Sequence, residues 1–408
     1  MDTFFDAIVV GAGVGGAGAA IFLAQTGLRV ALLEGGAAGR QKVCGEFLSP
    51  EARPGLRSLG VLGAMQARGA LDVGTARVLT SARVSRAIAF PQPGLAFSRS
   101  TLDALLWARA HETGVTCREN TRVSAIERAP DGSFAVRLNH ETLRARFVIV
   151  ATGRGSKFGR DGDLGLAHKR DDAEKSAPKP REQKTFDLSC FKTFAPSRPG
   201  ATPRFVGLKT HLRGARLPRG ETQLFPFPGG YCGLVEVEDG SVNACLLASY
   251  ERSKGRSPAQ LWSEVRGENR ALGDATAKST LDFGWLATGN VSFERFAPAH
   301  DGLLRVGDAA GYIHPLAGDG MAMALRAGEL AARVVLQALS SGGDADTAAR
   351  AYALLWSREF GARLRAAARL QPLLTDARVT TWAQNVFDAV PILSQLAVRR
   401  TRGLSAPV

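Results

Sequence analysis

The N-terminal segment of the chain is a unit that few folds can use. FDAIVV, residues 5–10, is a short apolar run of buried-strand type, and it leads straight into Gly11-Ala-Gly13-Val14-Gly15-Gly16. A helical stretch follows as far as Gly27, then a second apolar run, RVALLE, ending on Glu34. Strand, GxGxxG, helix, strand and acid within about 30 residues is the context in which the glycine motif acquires meaning. Gly11 makes a tight turn, Gly13 lets the backbone approach a pyrophosphate, and Gly16 lets the helix pack on the strand. The helix N-terminus then offers N–H donors and the positive end of its dipole to phosphates. Ala20, Leu23, Gly27 and Val30 fill the expected later positions, and Glu34 is placed to accept the ribose hydroxyls of an adenosine half. A bound dinucleotide is expected, either FAD or NAD.

A second turn of the same kind lies far along the chain. An apolar strand from Leu303 ends at Gly307-Asp308, a loop carries His314, Pro315 and Gly318-Asp319-Gly320, and a long helix begins with Met321. Asp308 at a strand end can accept a ribitol hydroxyl. The helix beginning near Gly318–Gly320 aims its N–H groups at an anionic ring edge, such as the N1/O2 side of a reduced isoalloxazine. Two anion-directed turns so widely separated imply one long cofactor held at both ends, which selects FAD.

These segments carry a family resemblance over essentially the whole length. GAGVGG and VGDAAGYIHPLAGDGM resemble the dinucleotide and Gly-Asp motifs of FAD-dependent oxidoreductases of the p-hydroxybenzoate hydroxylase and geranylgeranyl reductase superfamily. SRSTLDALLWARAHETGV, residues 98–115, resembles that family's Arg-xxx-Asp helix, and RFVIVATGRGS, residues 146–156, its third motif. The resemblance implies an α/β fold, with a Rossmann-like FAD-binding domain interleaved with an antiparallel-sheet substrate domain, plus C-terminal helices. It implies FAD contacts at Gly11, Gly13, Val14, Gly15, Gly16, Glu34, Gly35, Arg40, Cys44, Gly45, Arg99, Val123, Thr152, Gly153, Gly307, Asp308, Pro315, Gly318, Gly320 and Met321. The third motif has Thr152-Gly153 where aromatic hydroxylases carry Asp-Gly, which puts their NADPH contact in doubt. No second GxGxxG occurs, so electrons are expected from transiently docked NAD(P)H or from a separate reductase. GRQKVCGEFLSPEARPGLRSLGV, residues 39–61, resembles the reductase side of the family and tailoring oxidoreductases whose Cys-Gly-Glu segment runs past the isoalloxazine, and makes Cys44, Glu46 and Ser49 candidates for its surroundings. Read from local chemistry alone, the same residues form a glycine turn before a Ser49-Pro50 helix start, with Cys44 an ordinary buried thiol.

Composition narrows the function classes. The 408 residues carry 52 Lys plus Arg against 38 Asp plus Glu, a formal charge of +14, with 45% hydrophobic residues. A basic chain suggests nucleic acid or an anionic surface. Yet only ten of those 52 are Lys, Ala and Gly are abundant, and no basic arm or interleaved aromatic motif occurs, so coding bias is the better account and no nucleic-acid partner is expected. No uncharged apolar run is long enough to span a bilayer. The five cysteines, Cys44, Cys117, Cys190, Cys232 and Cys245, have no metal-ligand spacing, and no metal site is expected. With no apolar leader before the first strand, they predict free thiols in a cytoplasmic protein.

Domains are expected to be discontinuous: residues 1–70, 98–160 and 285–340 bind FAD, while 71–97 and 185–284 build the substrate lobe from period-two strands with Gly-Gly and Asp-Gly turns. Residues 161–184, dense in mixed charge and Pro, read as a mobile surface loop, or as a docking site for a reductase or carrier. Residues 341–408 read as amphipathic helices, the last of them basic and able to touch lipid.

Polar candidates for chemistry are few. Lys209 and His211 alternate on a predicted substrate-lobe strand and so share a face, where His211 would act as general base and Lys209 would hold a phenolate or carboxylate. Glu46 is a third candidate, whereas His314 and Tyr231 read as structural. The leading expectation is a monooxygenase, acting with O2 through a flavin C4a-hydroperoxide on an aromatic or polyketide-like metabolite, or on an aromatic group borne by a carrier or peptide. Reduction of an isolated double bond is the alternative. The halogenase WxWxIP signature is absent, FGWLATG being the nearest Trp segment, and a non-catalytic binding protein would not need both cofactor turns.

Overall fold

The computed structural model describes residues 4–81, 84–153, 205–291, 297–311 and 318–370. The expected loop 161–184, the candidates His314 and Pro315, Cys190 and the tail beyond residue 370 lie outside those residues.

The first sheet is built around Phe4–Val10. Parallel neighbours flank it in the spatial order Leu303–Arg305, Thr142–Val150, Phe4–Val10, Val30–Leu33, Thr116–Arg118, with the hairpin Ala125–Arg128/Phe134–Arg137 on the Thr142–Val150 strand. The central strands are almost continuously apolar because helices cover the sheet and leave neither face to water. Val10 pairs with both Leu33 and Val150, so Gly11 leaves the sheet beside Ala151 and Thr152.

Two helices cross at unusually close range beside this edge. Val14–Ala24 packs against Gly320–Ser340 through glycines on both sides. A Cβ on Gly328 would lie 2.5 Å from the Gly15 carbonyl oxygen, and one on Gly15 would lie 2.9 Å from the Ala324 oxygen. Their N-terminal turns therefore converge at the sheet's C-terminal edge. The helix Ala345–Leu370 packs outside Gly320–Ser340, and buried Tyr352 donates its hydroxyl to the Arg305 carbonyl at 2.7 Å.

The second sheet runs in the order Thr280–Leu281, Phe205–Arg213, Val242–Ser249, Gly230–Glu236, Glu221–Phe227, Leu71–Val78, Ile88–Ala96, Phe47–Leu48, with Leu286–Val291 also paired to Phe205–Arg213. The substrate-lobe strands expected from period-two patterning are present. Two pieces, Phe47–Leu48 and Leu286–Val291, fall in stretches assigned by sequence to the FAD-binding part, so the lobes exchange strands more than the expected boundaries allow. Phe205–Leu212 is buried on both faces, not one. Val206, Leu208 and Leu212 pack with Leu261, Trp262, Val265 and Leu272 from the helices Pro258–Glu268 and Arg270–Ala275. The opposite face, Gly207, Lys209 and His211, turns toward residues 41–46, where a Cβ on Gly207 would lie 3.1 Å from a Val43 methyl. The sequence reading missed the Pro258–Glu268 helix, although Ser257 and Gln260 form a full capping box with Pro at the first turn.

Gly328→Val forces the two crossing helices apart and is expected to destabilise the protein by about 1–3 kcal/mol. Urea unfolding reads this directly, and an unchanged midpoint would show that the close approach is not needed.

Candidate functional site

The two converging helix ends differ from the other long helices among the described residues. Arg99–Glu112 is capped by Ser98, Pro258–Glu268 by Ser257, and Ala345–Leu370 by Asp344, whose carboxylate accepts the Thr347 N–H. Val14–Ala24 and Gly320–Ser340 have no side-chain cap. Gly13 stands at the N-cap of the first, and Asp319, at the N-cap of the second, turns its carboxylate to Ser49 and Arg363 instead. Both ends thus present backbone N–H donors without a side-chain acceptor, the arrangement that receives an anion.

The turn before the first helix is shaped for close approach. Gly11 has φ +104°, and a Cβ there would lie 2.4 Å from the Ala151 oxygen; one on Gly16 would lie 1.9 Å from the Gly11 oxygen. At Gly13 the nearest atom is an Arg99 guanidinium nitrogen at 4.0 Å, so this position is open and faces a cation. Glu34 is buried, accepting from the Ala12 N–H at 2.8 Å and the Gly36 N–H at 3.3 Å, with Arg40 at 3.4 Å. A carboxylate has about four acceptor positions, so capacity remains for a ribose hydroxyl. Thr152 supplies a buried hydroxyl oxygen with no hydrogen-bond partner, a deficit of order 1–3 kcal/mol that a ligand oxygen would relieve. Open helix ends, a glycine cradle and an orphaned hydroxyl fit FAD. Gly35, Val123, Gly153, Gly307, Asp308, Gly318 and Gly320 lie in turns or at element ends, with Gly153, Gly307 and Gly318 at positive φ.

Arg99 lies between this turn and residues 41–46. Its guanidinium is bonded to Asp103, one turn along its own helix, at 3.0 Å, and Lys42 joins Asp103 at 2.8 Å. Burial works against the charge on Arg99, but Asp103 and the Cys44 thiol beside it hold the guanidinium protonated. Burial likewise opposes ionisation of Asp103, and Arg99 and Lys42 outweigh it, keeping the carboxyl low. Cys44 is half-buried, its sulfur 4.0 Å from that of Met321 at the start of the second open helix, and Gly45 next to it is exposed. Residues 44 and 45 therefore span the space between the two helix ends.

Behind them sits a closed ionic cluster. Glu46, Lys209 and His211 are 0, 0 and 3% exposed. Lys209 Nζ donates to Glu46 Oε1 at 2.5 Å and to Gln41 Oε1 at 2.8 Å, while His211 Nε2 meets Glu46 Oε2 at 2.7 Å. The Arg99 backbone N–H donates to Glu46 Oε1 at 2.7 Å. Burial pushes the Glu46 carboxyl upward, but the His211 hydrogen bond and the Lys209 charge outweigh it and hold it below its usual range. The three sequence candidates for chemistry thus meet at one point, with Lys209 and His211 on one strand face as expected. Their polar atoms are turned to Glu46 and to one another's neighbours, so neither Lys209 nor His211 is open to hold a substrate phenolate or to attack one as base. Tyr231 is a buried core residue of the second sheet. Lys42, Gln41, Ser241 and Asn243 were not singled out by sequence, and Asp103 entered only as the acid of the Arg-xxx-Asp motif. Asn243 had a signal, since it is a polar residue on the largely apolar strand Val242–Ser249.

Residues 5–178 match the FAD binding domain family model. Over 91% of this chain and 87% of the relative, the sequence is 25% identical to digeranylgeranylglycerophospholipid reductase 2 of Methanopyrus kandleri. Over 100% of this chain and 98% of the other, the fold superposes with TM-score 0.70 and 21% identity on a geranylgeranyl bacteriochlorophyll reductase-like protein of Thermoplasma acidophilum. This chain is an FAD-dependent oxidoreductase, similar to members of the hydroxylase and reductase superfamily. Menaquinone reductase of Mycolicibacterium smegmatis is 27% identical over 98% of this chain and 91% of its own length. The flavin-dependent brominase Bmp2 shares the fold of this oxidoreductase, at TM-score 0.75 over 98% and 94% of the two chains, with 17% identity. Among the described residues, no helix is long and apolar enough to cross a membrane.

Asp319 links the second open helix to the rest of the site. Burial pushes its carboxyl up to about 6, against the pull of Ser49 and Arg363, and Glu51 adds to the rise. A folded-state value above the unfolded 3.8 means that the fold favours the protonated acid. This contribution to stability is complete below pH 3.8 and is lost as pH rises through about 6. The stability of the native oxidoreductase relative to its Asp319→Asn variant is therefore expected to fall by about 2–3 kcal/mol between pH 4 and pH 6.5. Urea midpoints across that range check it, and a flat difference would contradict it.

Proposed function

We propose that this flavoprotein reduces a carbon–carbon double bond, and that its substrate is isoprenoid-like and mainly apolar. The observation that carries this reading is the closure of the Glu46–Lys209–His211 cluster. A hydroxylase acting on a phenol needs a cation or base directed at the substrate oxygen, and the two substrate-lobe residues suited to that task are instead bonded to Glu46. What the cluster provides is a buried set of acid–base groups behind Cys44 and Gly45, which suits delivery of one proton to a carbon centre. Sequence likeness supports the same class, because the full-length relatives at 25% and 27% identity are named as reductases of digeranylgeranylglycerophospholipid and menaquinone.

In this reading the protein's own groups divide the work. The two uncapped helix ends, the Gly11–Gly16 turn and Arg99 hold the cofactor's charged parts, and Glu34 and Thr152 hold its hydroxyls. Bound FAD, once reduced, supplies the hydride. Glu46 fixes Lys209 and His211 so that one proton is held a short distance behind the residue 44–45 loop. Hydride and proton together add two hydrogens across the double bond, with no oxygen consumed. The electrons come from NAD(P)H or from a partner reductase, and the protein works in the cytoplasm on a small-molecule substrate.

The test is anaerobic. Purified protein loaded with FAD is reduced with dithionite and mixed with menaquinone or a geranylgeranyl lipid in detergent micelles. The flavin is expected to reoxidise without O2, with a product two mass units heavier per double bond reduced. Reoxidation that waits for O2 and yields an oxygenated product from an aromatic compound would return the assignment to the monooxygenase class.

A further inference from the structure

The Glu46 cluster does not end at His211. The second ring nitrogen, Nδ1, lies 3.2 Å from Ser241 Oγ, and Ser241 donates its hydroxyl to Asp239 Oδ1 at 2.6 Å. Ser241 is fully buried, whereas the Asp239 carboxylate stands at the surface with its side chain 46% exposed. Four groups therefore form an unbroken line from a completely buried carboxylate to water, through both nitrogens of one imidazole. We propose that Asp239 and Ser241 are the entry to a proton path that recharges the Glu46–Lys209–His211 cluster from solvent through His211. This rests on the proton-reserve reading of the cluster given above.

The chemistry of the path requires only proton transfers. In the inward direction the O–H bond of protonated Asp239 breaks as one forms on Ser241, and the Ser241 proton passes to His211 Nδ1. The Nε2 proton passes to Glu46 Oε2, leaving a neutral imidazole with its proton on the other nitrogen. Rotation of the Ser241 hydroxyl and return of the tautomer reset the line. An imidazole is suited to the middle position because one nitrogen can accept while the other donates.

The surroundings direct the flow. His211 faces Glu46 and Lys209 within the cluster, Ser241 and Asp239 from the neighbouring hairpin, and the Phe283 ring at 5.1 Å. Arg99 and Asp103 lie beyond Glu46, and Arg213 bridges Asp239 and Asp282 at the mouth. Arg213 and the Ser241 hydrogen bonds hold the Asp239 carboxyl low despite partial burial, so Asp239 is a shuttle that is protonated briefly, not a store. The store is inside, where Lys209 and His211 surround Glu46. The turn from Val237 to Ser241 fixes the geometry: the Ser241 N–H donates to Asp239 Oδ1 at 2.9 Å and the Val237 N–H to the Ser241 carbonyl at 2.9 Å.

The experiment follows the ring proton of His211 by nitrogen-15 NMR in the FAD-loaded protein, with a His211→Gln variant to assign the signal. Exchange of that proton with water is expected to be on the order of 100-fold slower in Ser241→Ala than in the native protein, the lower end of what a positioned transfer group contributes. Ser241→Thr keeps a hydroxyl and is expected to restore the native rate, which a purely structural role for Ser241 would not explain. Asp239→Asn, which keeps an acceptor for Ser241 but cannot carry a proton, is expected to slow exchange and abolish its pH dependence. Native exchange in Ser241→Ala, or in Asp239→Asn should Ser241→Ala not fold, overturns the path. No substrate is present, so a wrong substrate class would leave this result standing.

Discussion

Burial of one carboxylate, Glu46, is the constraint on which the site depends. Its two oxygens receive Lys209, His211 and the Arg99 N–H, its carbonyl accepts the Phe97 N–H, and its own N–H meets Cys44 Sγ. The segment that passes the cofactor, the N-terminal turn of the Arg99–Glu112 helix and the central substrate-lobe strand thus share one ionic node. Desolvating such charges is expensive, and a well-packed apolar cluster would be at least as stable. Glu46 also holds φ +55°, a left-handed conformation that an ordinary side chain adopts only when its surroundings over-determine it. An expensive charge on a strained residue, kept fully bonded, marks a functional site more than a stabilising one.

The cofactor region follows a complementary logic. Where Glu46 is saturated with donors, the two helix ends that converge through Gly15 and Gly328 are left without side-chain caps, and Thr152 keeps an unpaired hydroxyl. The protein leaves donors without side-chain acceptors where a long, charged ligand would lie, and bonds Glu46, Lys209 and His211 to one another in the layer behind. Cys44 and Gly45 separate the two layers.

Much of this was legible in the sequence, for identifiable reasons. Gly11, Gly13, Gly16 and Glu34 are dictated by local geometry at fixed spacing, and the strand and helix around them have the expected periods. Lys209 and His211 could be placed on one face because strand alternation is rigid. What alternation could not show is which way that face turns, or that its partner is Glu46, more than 160 residues away in sequence. The outer layer of helices was missed because Pro258–Glu268 covers a strand face that period-two reasoning assigns to solvent. Ser241 and Asp239 remained hidden for a related reason: hairpin residues look like turn chemistry until the register sets them beside His211.

A double-mutant cycle between Glu46 and Lys209 tests the central claim most directly. Glu46→Gln and Lys209→Met each leave a buried charge without its partner and are predicted to lose about 3–5 kcal/mol in urea unfolding. The double variant, with neither charge, is predicted to lose less than the sum of the two by about 2 kcal/mol or more. Losses that add within about 0.5 kcal/mol would contradict the account, because Glu46 would then not be the node that joins the two lobes.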